Sequence, residues 1–155
     1  MALIYESENF IVEALEKPHV CRTEGGHIKI TPKIRICDRT KLNSKLATEL
    51  MKLSMIIGES MTIGMNNCGV DIGRINYQDN GNWSVFKSEG PYLHLHLYGR
   101  AKSAKINKYG NAIKAPHRKT GFYDDFKPLN EKDVKEIRRQ IELILERDKY
   151  KEWNY

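Results

Sequence analysis

The chain has 155 residues, of which 40% are hydrophobic and 30% charged, proportions typical of a water-soluble protein with one domain. Its formal net charge of +6 favours anionic partners, but charge alone does not separate a nucleotide from a nucleic acid. The three cysteines form no CxxC pair, which argues against a zinc ribbon and fits reduced thiols. Acidic residues near the N-terminus and the lack of a long apolar run predict a cytoplasmic protein without membrane association.

The first half of the chain predicts two strands and a long helix. Residues 10–15 and 27–33 read as strands, and Pro32 ends the second because proline cannot donate to a ladder. Asn43 or Ser44 can cap a helix that continues to about residue 61, before the glycines of residues 64–69. Its apolar residues recur at steps of three and four: Leu46, Leu50, Leu53, Ile57 and Met61.

The second half predicts three more strands, at residues 71–78, 83–86 and 92–100, with a turn at residues 79–82. Residues 100–119 form a basic surface segment, either a solvated loop or a phosphate-binding one. Asn130 then caps a last helix with an apolar stripe. The predicted class is α+β, with about five antiparallel strands, one long helix after the second strand and a C-terminal helix. Residues 1–128 and the helix and tail of 129–155 are predicted to form one domain.

The stretch from Tyr92 to Arg100 alternates leucine with histidine or tyrosine. On a strand, Tyr92, His94, His96 and Tyr98 would share one face and the leucines the other. His27, which follows two glycines, can bring a third imidazole to that face. His19 is predicted to lie in a surface loop.

Such a histidine cluster suits two chemistries. A neutral imidazole can attack phosphorus and form a covalent intermediate, whereas His27, His94 and His96 can bind a metal, with Asp71 or Asp79 completing the ligand set. The spacing of these residues leaves both alternatives open, and a purely structural pair is less favoured.

The histidine motifs of this chain are similar to those of a known protein family. Residues 94–100, His-Leu-His-Leu-Tyr-Gly-Arg, resemble the signature of the histidine-triad superfamily, His-φ-His-φ-His-φ-φ with φ apolar. Residues 26–33, Gly-His-Ile-Lys-Ile-Thr-Pro-Lys, resemble the family's strand that adds a fourth histidine. Asn80 and Gly81 resemble its Asn-Gly turn before the signature. These elements occur in the family's order and cover about residues 8–100.

The resemblance implies roles for individual residues. His94 would be the nucleophile at the α-phosphate, His96 would contact the phosphate or the ribose side, and His27 would add charge or a hydrogen bond. Tyr92 then replaces the histidine that orients the nucleophile; in the alternative register Tyr98 replaces the third histidine instead. The implied substrate-binding residues are Asn80, Ser88, Arg100, Phe10 and Ile11.

The implied protein is a nucleotide hydrolase or nucleotidyl transferase that acts on a nucleoside phosphoramidate or a dinucleoside polyphosphate without a cofactor or a metal. The resemblance also implies a homodimer, paired through residues 46–61, in which Trp153 or Tyr155 reaches the partner's site. The same residues 46–61 equally suit the chain's own core. The alternatives are a nucleotide-binding module weakened by Tyr92 and a histidine-ligated metal hydrolase. A role in nucleic-acid end processing, as in some members of the family, is not favoured, because this sequence has no counterpart of the DNA-binding module that those members usually carry.

Overall fold

The fold is built on one antiparallel sheet of five strands, in the order β1-β2-β3-β5-β4. The structure is a computed structural model that describes residues 1–153, except for the side chain of Asn82. The strands are β1 (Ala2–Glu6), β2 (Phe10–Ala14), β3 (His27–Pro32), β4 (Ile72–Gln78) and β5 (Leu95–Ala101). The helices are α1 (Ser44–Asn67), α2 (Glu131–Leu145) and α3 (Asp148–Lys151). The predicted α+β class is confirmed.

The two faces of the sheet have different tasks. Phe10, Val12, Ile28, Ile30 and Leu97 alternate onto one face, where they are fully buried in the core with α1 and α2. The residues between them point to the opposite face. This second face carries the histidines of β3 and β5, so the core and the candidate site lie on opposite sides of the same strands.

The predicted set of strands needs two corrections. The structure has an additional strand, β1, which pairs with β2, so the long helix follows the third strand rather than the second. Residues 83–86 do not form a strand. Gly81 adopts a left-handed conformation (φ 67°) and starts a single 3-10 turn, Asn82–Ser84, after which Phe86 is fully exposed. A glycine favours this conformation because it has no Cβ to clash.

The long helix begins as predicted but continues further. The side chain of Asn43 accepts a hydrogen bond from the amide of Leu46, which is an N-cap. The helix passes through Gly64 and ends at Asn67 rather than near Met61. A Cβ at Gly64 would lie only 3.0 Å from Cγ1 of Ile137, so this glycine permits close packing of α1 on α2 instead of ending the helix.

The C-terminal helix belongs to the same hydrophobic core. Asn130 and Asp133 form the capping box that starts α2. The buried face of this helix includes Val134, Ile137 and Ile141. Most of the predicted dimer residues of α1 are likewise buried in the chain's own core: Leu46, Leu53, Ile57 and Met61. None of the helices in the described residues combines the length and apolar character that a membrane crossing requires.

Candidate active site

The candidate site lies on the polar face of β3 and β5, which pair His27 with Tyr98 and Lys29 with His96. The turn before β3 passes very close to β5, since a Cβ at Gly25 would clash with the carbonyl of Gly99. A cavity of about 340 Å³ opens over this face. Residues from five parts of the chain line it: Leu15, His19, His27, Lys29, Asn80, Gly81, Trp83, Ser84, Lys87, His94, His96, Tyr98, Ala115, Arg118 and Tyr123.

His94 lies just before β5, in an irregular segment that aims its imidazole. Its Nδ1 lies 2.6 Å from the backbone carbonyl oxygen of Tyr92. Because a carbonyl can only accept, Nδ1 of His94 must carry the proton in this contact. The neutral ring then has its lone pair on Nε2, which is the state that a nucleophilic imidazole requires.

His27 and His96 form a hydrogen-bond relay, in which one backbone donor fixes the tautomer of both rings. The backbone amide of His19 donates to Nδ1 of His27 at 3.0 Å, so this nitrogen is unprotonated. The proton of neutral His27 is therefore on Nε2, which lies 2.8 Å from Nδ1 of His96 and donates to it. His96 in turn carries its proton on Nε2. Two adjacent rings in one cavity thus offer complementary groups: a lone pair on His94 and an N–H donor on His96.

His19 is part of the site rather than a surface residue, which corrects the prediction. Its Nε2 lies 2.9 Å from Nη2 of Arg118, and its Nδ1 lies 3.0 Å from the hydroxyl of Tyr98. Arginine is always a donor, so Nδ1 of neutral His19 carries the proton. The ring centroid of His19 lies 4.8 Å from that of His27 and 5.4 Å from that of His96.

Burial keeps these imidazoles neutral. Loss of water around the ring lowers the pKa of His96 to about 2 and that of His19 to about 4, with positive neighbours adding to the effect. Burial also lowers the pKa of His27 well below its ordinary value. Burial raises the pKa of Tyr98, which keeps its phenol protonated. Neutral rings are required both for the relay and for nucleophilic attack.

The cavity nevertheless attracts anions. Its described lining includes the cations Lys29, Lys87 and Arg118 but no aspartate or glutamate. Lys29 is partly compensated by Glu13, 3.7 Å away. A cavity of one charge sign raises the local concentration of the opposite charge, so this one favours a phosphate-bearing ligand.

The fold occurs in known structures of histidine triad proteins. A hypothetical histidine triad nucleotide-binding protein from Sulfolobus tokodaii matches with a TM-score of 0.61 at 17% identity, over 98% of this chain and 91% of that one. A histidine triad protein from Marinobacter aquaeolei matches at 0.61 and 18%, over 93% and 88%. A zinc-bound histidine triad family protein from Mycobacterium smegmatis matches at 0.59 and 18%, over 92% and 84%. The chain has the histidine-triad fold. No family model matches its sequence, and no curated protein does.

On this histidine-triad fold, four of the predicted site residues meet in one cavity: His27, Asn80, His94 and His96. Tyr92 does not join them, because β5 begins only at Leu95 and the alternation of faces does not extend back to residue 92. The phenol of Tyr92 instead donates to the carbonyl of Pro32, and the guanidinium of Arg35 lies over its ring. What Tyr92 contributes to His94 is its backbone carbonyl.

Three predicted substrate-binding residues lie elsewhere. Phe10 points into the core and is fully buried, because it occupies the helix-facing side of β2. Ile11 is on the opposite side of β2 but does not line the cavity. Ser88 is exposed in the loop before β5 and is also absent from the cavity lining, where Lys87 is present. Leu15, two residues beyond Glu13 on the site side, does line it.

Arg100 is buried and has a structural task, which corrects its predicted contact with substrate. Its guanidinium donates to the side chain of Asn76 and to the backbone carbonyls of Asn107, Lys108 and Asn111. It therefore organises the loop after β5 rather than binding a ligand.

Glu24, at the end of the 3-10 turn Arg22–Glu24 before β3, holds the same loop and forms a clasp with Arg100. Its buried carboxylate accepts hydrogen bonds from the backbone amides of Lys105, Ile106 and Asn107. Glu24 lies three residues before His27, and Arg100 lies four residues after His96, so residues close in sequence to both histidines fix the loop. That loop leads to Arg118 and Tyr123 at the cavity.

A metal site is the other arrangement that the cluster suggests. The ligating nitrogens of His19, His27 and His96 lie within 4.8 Å of one another. The predicted metal set, with His94 and Asp71 or Asp79, does not assemble in the described residues. In the observed geometry Nδ1 of His27 is occupied by a backbone amide and its Nε2 carries a proton, so His27 presents no free lone pair. A metal would have to break this relay.

The tail is described only to residue 153. Trp153 stacks on Tyr150 with ring centroids 6.3 Å apart, and its carbonyl accepts from Lys52 of α1. Trp153 therefore packs on its own chain in this structure. The prediction for Tyr155 lies outside the described residues.

Proposed function

We propose that the chain is a nucleotide hydrolase or nucleotidyl transferase that acts at an α-phosphate through a nucleotidyl intermediate on His94. The observation that supports this most is the contact between Nδ1 of His94 and the carbonyl of Tyr92, which leaves a lone pair on Nε2. His96 supplies a neighbouring N–H donor, since its Nδ1 is taken by His27. The substrate class includes nucleoside phosphoramidates and dinucleoside polyphosphates.

The proposed reaction has two displacements. In the first, Nε2 of His94 forms a bond to phosphorus, and the bond from phosphorus to the leaving nitrogen or oxygen breaks with its electron pair. The N–H of His96 stabilises the charge on the phosphoryl oxygens, and the leaving group takes up a proton from the medium. In the second, water attacks phosphorus, the bond to His94 breaks, and the nucleoside monophosphate leaves as the proton of water is released.

The position of Tyr92 favours an active enzyme over a weakened binding module. The weakened-module hypothesis assumes that the side chain at residue 92 orients the nucleophile. Here the orientation comes from the backbone carbonyl, which any residue at this position would provide. The phenol itself is engaged with Pro32 on the other side.

Turnover in metal-free buffer tests the proposal. The substrates are adenosine 5′-phosphoramidate and diadenosine tetraphosphate, with the guanosine equivalents included because the base is open. We expect His94→Ala to lower kcat by about a thousandfold or more, as expected for removal of a nucleophile. His117→Ala is the control, because His117 does not line the cavity.

Unchanged kcat in His94→Ala would contradict the role of His94. Tight nucleotide binding without turnover by the wild-type chain would favour the binding module instead. Activity that appears only with added zinc would favour the metal hydrolase.

A further inference from the structure

Arg118 is held at the rim of the cavity by a segment that the histidine-triad signature does not cover. Its Nη2 donates to the carbonyl of Lys17 and to Nε2 of His19, each at 2.9 Å. Its guanidinium carbon lies 5.9 Å from the ring centroid of Trp83 and 5.8 Å from that of Tyr123. These four contacts fix a side chain that is otherwise exposed.

The charge of Arg118 has no carboxylate partner among residues 1–153. Other arginines of the chain do have one: Arg22 is paired with Asp133 and Arg39 with Asp79. Both protein hydrogen bonds of Arg118 come from Nη2, which leaves Nε and Nη1 without an acceptor in the described part of the chain. A guanidinium fork with free donors beside a cavity that lacks acids is suited to a phosphoryl group.

The place of Arg118 separates it from the reacting phosphate. A phosphate under attack must lie against His94 and His96. Arg118 is bonded to the imidazole of His19, whose centroid is itself 5.4 Å from that of His96. Among the described residues Arg118 has no hydrogen bond or ring contact with His94 or His96 and is linked to them only through His19, so we expect the anion that it binds to be a different group.

We propose that Arg118 forms a second anion subsite, which binds a phosphoryl group of the nucleotide other than the one that His94 attacks. This inference rests on the proposed function, because it assumes a nucleotide in the cavity. The second group can belong to the phosphate chain or to a 2′- or 3′-phosphate on the ribose. Both offer anionic phosphoryl oxygens to the guanidinium.

Calorimetric titration distinguishes these sources and does not depend on turnover. The four nucleoside 5′-monophosphates are compared first, and the tightest is carried forward with its 3′,5′-bisphosphate, its 2′,5′-bisphosphate and its α,β-methylene triphosphate. We expect at least one of the doubly phosphorylated ligands to bind the wild type about tenfold more tightly than the monophosphate, as for one charge-assisted contact. Arg118→Gln should abolish this preference and change monophosphate affinity by less than about threefold.

Two variants separate geometry from net charge. Arg118→Lys should keep part of the preference, because lysine retains the charge but not the fork. Lys119→Gln removes the same charge from the next residue, which does not line the cavity, and should retain the full preference. Equal binding of all ligands by the wild type, or an intact preference in Arg118→Gln, would overturn the subsite and leave the proposed function standing. If no monophosphate binds the wild type, the proposed function fails and the subsite with it.

Discussion

Replacement of His96 by glutamine should make the protein markedly less sensitive to acid. The pKa of His96 is lowered to about 2 in the folded chain, chiefly by burial, against an ordinary value near 6.5. Below pH 6.5 the unfolded chain therefore binds a proton at His96 that the folded chain does not. Its folded pKa is depressed, so stability is lost as pH falls from 6.5 towards 2.

The size of the effect follows from the width of that window. One pKa unit corresponds to about 1.4 kcal/mol, so two pH units below 6.5 lower the free energy of unfolding by about 3 kcal/mol through His96. His27 acts in the same direction, because burial also lowers its pKa. A loss of this size is a substantial part of the 5–15 kcal/mol that is typical of a whole domain.

Urea unfolding at several pH values between about 7 and 4.5 measures this dependence. His96→Gln removes the titrating ring, so its free energy of unfolding should fall by about 3 kcal/mol less than that of the wild type over the window. His117→Gln controls for the loss of a histidine that does not line the cavity. Parallel pH profiles for the wild type and His96→Gln would refute the argument that His96 is held neutral by burial.

Three further predictions follow from single contacts. Tyr92→Phe removes the hydrogen bond to Pro32 but keeps the backbone carbonyl that contacts His94. The free energy of unfolding in urea should therefore fall by about 1 kcal/mol, while kcat stays within about twofold. A large fall in kcat would show that the phenol acts in catalysis. Glu24→Gln weakens the hydrogen bonds that the side chain accepts from three backbone amides. Proteolytic cleavage of residues 102–114 should become faster, and the free energy of unfolding should fall by about 2 kcal/mol. Unchanged cleavage would contradict the role of Glu24 in holding this loop. Gly64→Ala places a Cβ about 3 Å from Ile137 and should lower the free energy of unfolding, measured by thermal unfolding, by about 1–3 kcal/mol. Unchanged stability would mean that α1 and α2 can move apart to accommodate the methyl group.

The elements that were predicted correctly are those with local signals. The cap at Asn43, the capping residue Asn130 and the alternation of β3 depend on neighbours within a few residues. β1 was missed although Leu3, Ile4 and Tyr5 form a short run of strand-favouring residues before a polar turn. Its pairing with β2, which is not a local signal, is what makes it a strand.

The candidate site was predicted where one motif carries it and missed where the fold assembles it. His94, His96 and His27 share a recognisable pattern, and they meet as expected. His19 and Arg118 are 99 residues apart in sequence, and no local pattern connects them. The available hint was that Arg118 belongs to the basic segment of residues 100–119; its contacts with Trp83 and Tyr123 exist only in the folded chain.

The role assigned to Tyr92 shows a different limit. A residue pattern describes side chains, and the substitution of a histidine by tyrosine therefore suggested a damaged site. The contact that orients His94 is made by backbone, which the pattern does not describe. Only the conformation of the segment before β5 reveals it.

Peptide mapping of a rapidly quenched reaction tests whether a nucleotidyl intermediate forms on His94. The wild-type chain is mixed with a nucleoside phosphoramidate, denatured at neutral to alkaline pH and digested, and the peptide that contains residues 92–98 is analysed by mass spectrometry. We expect a nucleoside monophosphate attached to His94, absent in His94→Ala and present in His117→Ala. A nucleotidyl group on another residue, or turnover without any covalent species on this peptide, would contradict it.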